Sequence, residues 1–132
     1  MDAPKVLLVD DMKEYSETLA ERLRLRDVQA EVASDGREAI ERIGEREFDM
    51  VILDVVMPEM DGFEVLRQIR ATHPHLPVLM LTGKEFSIPK AIQSMDLGAM
   101  DYLSKPVPLE TLLKKIGEAR KRKAALEGIP HG

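Results

Sequence analysis

Asp10, Asp11, Asp54, Thr82 and Lys105 stand at or just beyond the ends of short apolar runs. Asp10-Asp11 follow Val6-Leu7-Leu8-Val9, Asp54 follows Met50-Val51-Ile52-Leu53, Thr82-Gly83 follow Val78 to Leu81, and Lys105-Pro106 come shortly after Ala99 to Leu103. In open α/β sheets ligands bind beyond the carboxyl ends of the strands, so residues that terminate such runs gather around one crevice. Three carboxylates and one ammonium there sum to −3 + 1 = −2, a charge that one divalent cation cancels. An oxygen-only donor set, without His or Cys, favours Mg2+ over zinc.

Taken singly, each residue has a bland reading. Asp10 and Asp11 suit a loop or a helix cap, Thr82 suits a strand by propensity alone, and a lone lysine is usually a surface residue. Asp54 is more pointed, because an acid directly behind a buried strand is costly without a partner. Their joint placement at strand ends carries the argument.

The elements that must position them follow from hydrophobic period. Val6 to Val9 is continuous enough for a central parallel strand. Tyr15, Leu19 and Leu23 recur every four residues among charged neighbours, one apolar stripe on a solvated helix. Val28 to Ala33 reads as a second strand, and Asp35 caps a second helix, with Glu38 three residues on and Ala39, Ile40 and Ile43 inward. Phe48 to Leu53 is the third strand. A third helix starts near Asp61-Gly62, turns Leu66 and Ile69 inward and stops before His73-Pro74. Val78 to Leu81 is the fourth strand. The fourth helix is capped by Ser87, carries Pro89 in its first turn, places Ile92 and Met95 on its buried side and stops at Gly98. Ala99 to Leu103 is the fifth strand. The last helix, from about Pro108, carries Leu109, Leu112, Leu113 and Ile116 inward, turns basic as its dipole favours, and frays from Gly128. Strands alternating with helices at these short spacings predict an α/β, doubly wound, five-stranded parallel sheet with five helices.

Composition bounds the rest. The chain has 132 residues, 44% of them hydrophobic, with 19 Lys+Arg against 24 Asp+Glu for a net charge of −5. That is one domain's worth, able to bury about two thirds of its unfolded surface without a staple. The absence of cysteine excludes a disulfide framework, a thiolate metal site and a Cys nucleophile, and fits the cytoplasm. Met1-Asp2-Ala3-Pro4-Lys5 is no signal peptide, and no apolar run approaches the ~20 residues of a membrane span. Mild acidity disfavours direct nucleic-acid binding, Lys121, Arg122 and Lys123 being only a small basic patch. No linker or second apolar cluster follows the fifth helix, so no attached output domain is expected within these residues.

Val9-Asp10-Asp11, Leu53-Asp54-Val55-Val56-Met57-Pro58-Glu59-Met60-Asp61-Gly62, Leu81-Thr82-Gly83 and Gly98-Ala99-Met100-Asp101-Tyr102-Leu103-Ser104-Lys105-Pro106, in this order and spacing, resemble the receiver domains of two-component response regulators, including the single-domain chemotaxis type. The resemblance covers about residues 4 to 120 and leaves 121 to 132 as a basic helix end and tail. It implies a flavodoxin-like sheet of strand order 2-1-3-4-5. It implies that Asp54 accepts a phosphoryl group from a sensor histidine kinase or phosphotransfer protein, or from a small phosphodonor. Physical chemistry agrees, because an aspartyl phosphate is a precedented intermediate and phosphoryl transfer needs positioning and charge neutralisation more than a strong base.

By the same resemblance Asp10, Asp11, Asp54 and the Val56 backbone carbonyl hold Mg2+, and Lys105 pairs with a phosphoryl oxygen. Thr82 donates its hydroxyl, the Tyr102 ring turns inward, and the face of the fourth helix, fifth strand and fifth helix changes for a downstream protein or output domain. The Lys105-Pro106 bond resembles the family's cis peptide. The chain is expected as a monomer or a phosphorylation-dependent dimer, a switch that catalyses only its own phosphorylation and dephosphorylation. Val56 and Lys84 flank the site at positions that tune dephosphorylation, the solvated reading being favoured for Lys84. Glu59 reads as a surface acid, His73 and His75 as loop residues, and Met57, Met60, Met80, Met95 and Met100 as packing.

Two other classes fit less well. A phosphatase of the haloacid dehalogenase type needs a second Asp two residues after its nucleophile, yet Asp10 leads to Met12 and Asp54 to Val56. A flavodoxin-type flavin module needs a Ser/Thr/Gly-rich phosphate loop where this chain has Asp11-Met12-Lys13-Glu14.

Overall fold

A computed structural model describes residues 2–57, 60–83 and 87–128. The apolar runs form β1 (Lys5–Val9), β2 (Gln29–Ala33), β3 (Met50–Asp54), β4 (Val78–Thr82) and β5 (Asp101–Ser104). Between and after them lie α1 (Lys13–Arg24), α2 (Gly36–Glu45), α3 (Gly62–Thr72), α4 (Ile88–Asp96) and α5 (Leu109–Leu126). All pairings are parallel and the sheet order is β2-β1-β3-β4-β5, the doubly wound topology expected. Strand alternation divides the interior into two cores. Leu7, Val9, Val51, Leu53, Val78 and Met80 face α2 and α3, with Ala91 and Leu97 of the α4 region packed at the margin. Val6, Leu8, Ile52, Leu79 and Leu81 face the inner stripes of α1 and α5. With both faces covered, every residue of β3 and β4 is buried, which is why these runs lack polar alternation.

Helix starts follow the capping chemistry. The side chains of Asp35, Asp61 and Ser87 accept from the backbone N–H groups of Glu38, Glu64 and Lys90. The Glu38 carboxylate reaches back to the Ser34 N–H at 3.1 Å, closing the first turn of α2 from both sides.

Several boundaries differ from expectation for local reasons. Val28 and Ala99 are buried but precede the strands, because their N–H groups bond back to the ends of the preceding helices, at Leu23 and Ser94, instead of joining the ladder. Phe48 is likewise buried ahead of β3. In α4, Ile92 and Met95 face solvent, at 56% and 48% exposure, and do not lie on the buried side. Ser94 is what α4 buries, its hydroxyl donating to the Lys90 carbonyl. Two stripes share the helical period here, and small side chains let the helix lie closer to the sheet than Ile and Met allow. Met57 and Met80 are core residues, as expected.

Gly98 ends α4 at a positive φ of 95°, where a Cβ would also meet the Arg70 stem at 2.9 Å. The last helix runs on to Leu126, and Lys123 donates to the Phe48 carbonyl at 2.9 Å, so α5 grips the chain just ahead of β3. No described helix is long and apolar enough to cross a membrane. Glu59, Lys84 and the tail past Gly128 lie outside the described residues.

Candidate functional site

Parallel strands deliver their carboxyl ends to one edge, and Asp10, Asp54 and Thr82 arrive there from β1, β3 and β4. The carboxylates of Asp10, Asp11 and Asp54 each offer an oxygen within 4.8 Å of the others. Asp10 and Asp54 are buried, whereas Asp11 is exposed. Lys105 enters from the end of β5, its backbone N–H donating to the Thr82 carbonyl at 2.7 Å. Its ammonium donates to Asp10 Oδ2 at 2.6 Å and stands 3.5 Å from Asp54 Oδ2. The Lys105-Pro106 bond is cis.

Backbone N–H groups complete the acids' partners. Met12 N–H donates to Asp10 Oδ1 at 2.8 Å, and Val56 N–H donates to Asp54 Oδ1 at 3.2 Å. The loop after β3 is pressed back on its strand, because the Gly62 N–H donates to the Val55 carbonyl at 2.9 Å. A Cβ at Gly62 would run into the Asp54 carbonyl and Val55, so glycine alone fits that close approach.

Electrostatics single out Asp54. Burial and then the neighbouring Asp10 charge push its carboxyl up to about 6, against the opposing pull of Lys105 and the Val56 N–H. Burial draws the Lys105 ammonium down, but its hydrogen bond to Asp10 and the charges of Asp10 and Asp54 outweigh that and hold it above the usual lysine range. A crowded acid pair with one lysine is under-neutralised, and its oxygen-only donors suit a hard cation. The chemistry open to this arrangement is cation binding next to a buried carboxylate that faces an anion-binding ammonium.

Thr82 is fully buried and its hydroxyl has no hydrogen-bond partner among the described residues. Thr82 pairs in register with Ser104, and Tyr102 lies two residues before Ser104, so Thr82 and Tyr102 share one sheet face. The Tyr102 ring is buried in the core on that face. A cavity of about 730 Å³ opens over the acids, walled by Asp11, Met12, Tyr15, Asp54, Val56, Thr82, Gly83, Lys105 and Pro106. Val56 is half-exposed at its rim. A cleft of about 420 Å³ at the opposite edge, between the α2–β3 and α3–β4 turns and the end of α5, carries no comparable acid cluster.

Sequence reasoning missed Tyr15 at this site. Its place at the head of the α1 stripe marked it as packing, yet the Lys105 ammonium lies 4.7 Å from its ring centroid. A tyrosine one turn past the Asp10-Asp11 pair was the available signal.

Known proteins share this fold. The profile of the family described as "Response regulator receiver domain" matches residues 6–117. The chain is 40% identical over 124 residues to the response regulator MprA of Mycolicibacterium vanbaalenii, covering 94% of this chain and 53% of that protein. It is 42% identical over 112 residues to MprA of Mycobacterium leprae, covering 85% of this chain and 49% of that one. It thus spans about half the length of these curated relatives. A response regulator receiver domain from Clostridium thermocellum superposes with a TM-score of 0.87 at 33% identity, covering 93% of this chain and 98% of that one. The chemotaxis protein CheY4 of Vibrio cholerae gives 0.81 at 36% identity, with 89% and 98% covered. Profile, relatives and fold agree, and the chain belongs to the response regulator receiver domains, the signalling switches of two-component systems.

Proposed function

We propose that the domain accepts a phosphoryl group on Asp54 from a phosphohistidine of a sensor kinase or phosphotransfer protein, in a Mg2+-dependent reaction in the cytoplasm. The observation that carries this reading is the buried Asp54 carboxylate, crowded by Asp10 and faced by the Lys105 ammonium beneath an open cavity. An Asp54 oxygen forms the new P–O bond while the P–N bond of the phosphohistidine breaks and its electron pair returns to the imidazole. Lys105 counters the charge on the phosphoryl oxygens. Thr82, whose buried hydroxyl lacks an acceptor among the described residues, donates to one of them. Asp10, Asp11, Asp54 and the Val56 carbonyl would hold Mg2+, which when bound supplies the positive charge that this acid cluster lacks.

Residues 1–132 are read as one receiver domain with its core at about 4–120. Thr82 and the Tyr102 ring on the same sheet face couple the phosphoryl group to α4, β5 and α5, where a downstream protein or output domain docks. Ile88, Ile92 and Met95, exposed on α4, give that surface an apolar stripe. The domain acts as a monomer or as a dimer formed on phosphorylation.

Intact mass after incubation with Mg2+ and acetyl phosphate tests the reading. Wild type gains one phosphoryl group, whereas Asp54→Asn and an EDTA-treated sample gain none. Uptake by Asp54→Asn, or uptake without Mg2+, overturns it.

A further inference from the structure

We propose that Tyr15 is a positioning residue for phosphoryl transfer, acting through Lys105, an inference that rests on the function proposed above. Two observations set the tyrosine in this role. The Lys105 ammonium lies over its ring, 4.7 Å from the centroid. Tyr15 also walls the cavity above the acids and a narrow gap of about 10 Å³ that it shares with Asp10 and Asp54.

The physical need is for a lysine that stays put. A four-carbon stem gives an ammonium many rotamers, and a strongly hydrated point charge readily turns toward solvent. Asp10 draws this ammonium at 2.6 Å and Asp54 stands 3.5 Å away, which holds the charged tip but not the stem behind it. The π-face of Tyr15 adds a cation–π contact that favours this placement of the ammonium. Tyr15 sits in the first turn of α1, shortly after Asp10 and Asp11 in the loop that leads into the helix, so the brace for the lysine follows directly on the acids that would help hold Mg2+. Burial raises the phenol's own pKa, Lys105 opposing, so the ring meets the ammonium as a neutral phenol. A tyrosine serving only as filler would be replaceable by any apolar residue of similar reach.

Wild type, Tyr15→Phe and Tyr15→Leu separate these roles. The readouts are the proton shift of the Lys105 ε-methylene, the rate of phosphoryl uptake from acetyl phosphate with Mg2+, and the affinity for trifluoroberyllate with Mg2+, all below each variant's melting temperature. Wild type and Tyr15→Phe show the upfield ring-current shift and react within about twofold of each other. Tyr15→Leu loses the shift and reacts about five- to tenfold more slowly, the scale of one cation–π contact. Equal rates for Tyr15→Leu and wild type, or a methylene shift unmoved by the loss of the ring, overturn the proposal. A lowered melting temperature alone, with shift and rate intact, reduces Tyr15 to packing and overturns it as well. Failure of wild type itself to take up phosphoryl or trifluoroberyllate overturns the proposed function, which variants matching a reactive wild type leave standing.

Discussion

Lys105 donates a hydrogen bond to Asp10 and forms a longer ion pair with Asp54: its ammonium lies 2.6 Å from Asp10 Oδ2 and 3.5 Å from Asp54 Oδ2. All three side chains are nearly buried, so the lysine holds together two acids that would otherwise repel at close range. In the proposed reaction it must share itself with the incoming phosphoryl oxygens, and Asp10 is the ligand it partly releases.

Replacing Lys105 by Ala therefore leaves two buried acids without their cation. Urea unfolding of the metal-free protein at neutral pH should show a loss of about 3 kcal/mol, the low end for a broken buried pair. The loss stays at that end because Asp54, already pushed up to about 6, takes a proton at little cost. An unchanged midpoint would show that the lysine is not neutralising the pair.

The raised Asp54 pKa fixes a direction for pH. The folded chain holds this proton up to about 6, whereas the ordinary aspartate value is 3.8, so between these values the folded state binds more protons than the unfolded. This group's contribution makes the metal-free protein more stable as pH falls from above 6 toward 4. The gain is at most about 3 kcal/mol, at 1.36 kcal/mol for each pKa unit. Asp54→Asn should flatten that step and raise the melting temperature above pH 6. Thermal melts across this range in EDTA check both.

Mg2+ should raise the wild-type melting temperature by mass action, about 2.7 kcal/mol at a hundredfold excess over its dissociation constant. Asp54→Asn should lose most of this response. Asp11→Asn should also stabilise the metal-free fold by relieving repulsion, but less than Asp54→Asn, because Asp11 is exposed and water screens its charge. Differential scanning calorimetry with and without Mg2+ orders the three proteins.

Gly62→Ala forces a methyl group against the Asp54 carbonyl and Val55. Overpacking of this kind costs about 1–3 kcal/mol. Because the strain falls on the backbone of Asp54, phosphoryl uptake should slow by more than the loss of stability alone explains. A variant with normal uptake would mean that the loop yields without moving Asp54.

The fold and the acid-and-lysine crevice were legible because each rests on a strong local signal. Val6–Val9 and Met50–Leu53 are unbroken apolar runs, and the residues that end them can only emerge at the carboxyl edge of a parallel sheet. The inner face of α4 was not legible, since Ile88, Ile92 and Met95 make as good a stripe as the small residues that face the sheet. The start of β5 was obscured by Ala99, an apolar residue whose N–H is committed to Ser94. Tyr15 escaped notice because its contact with Lys105 joins positions far apart in the chain, and residue type alone does not separate a ring that packs from one that also meets a cation.

The buried Thr82 hydroxyl sets an energy scale for the proposed switch. A buried donor without an acceptor costs about 1–3 kcal/mol, and among the described residues Thr82 has none. Coupling free energies between distant sites also run about 1–3 kcal/mol. One hydroxyl at the end of β4 is thus a latent deficit as large as a whole allosteric signal. An oxygen delivered to Asp54 that met this hydroxyl in one conformer and not the other would shift the balance between them by about 5- to 150-fold. The resting chain would then be set by a hydrogen bond it has yet to make.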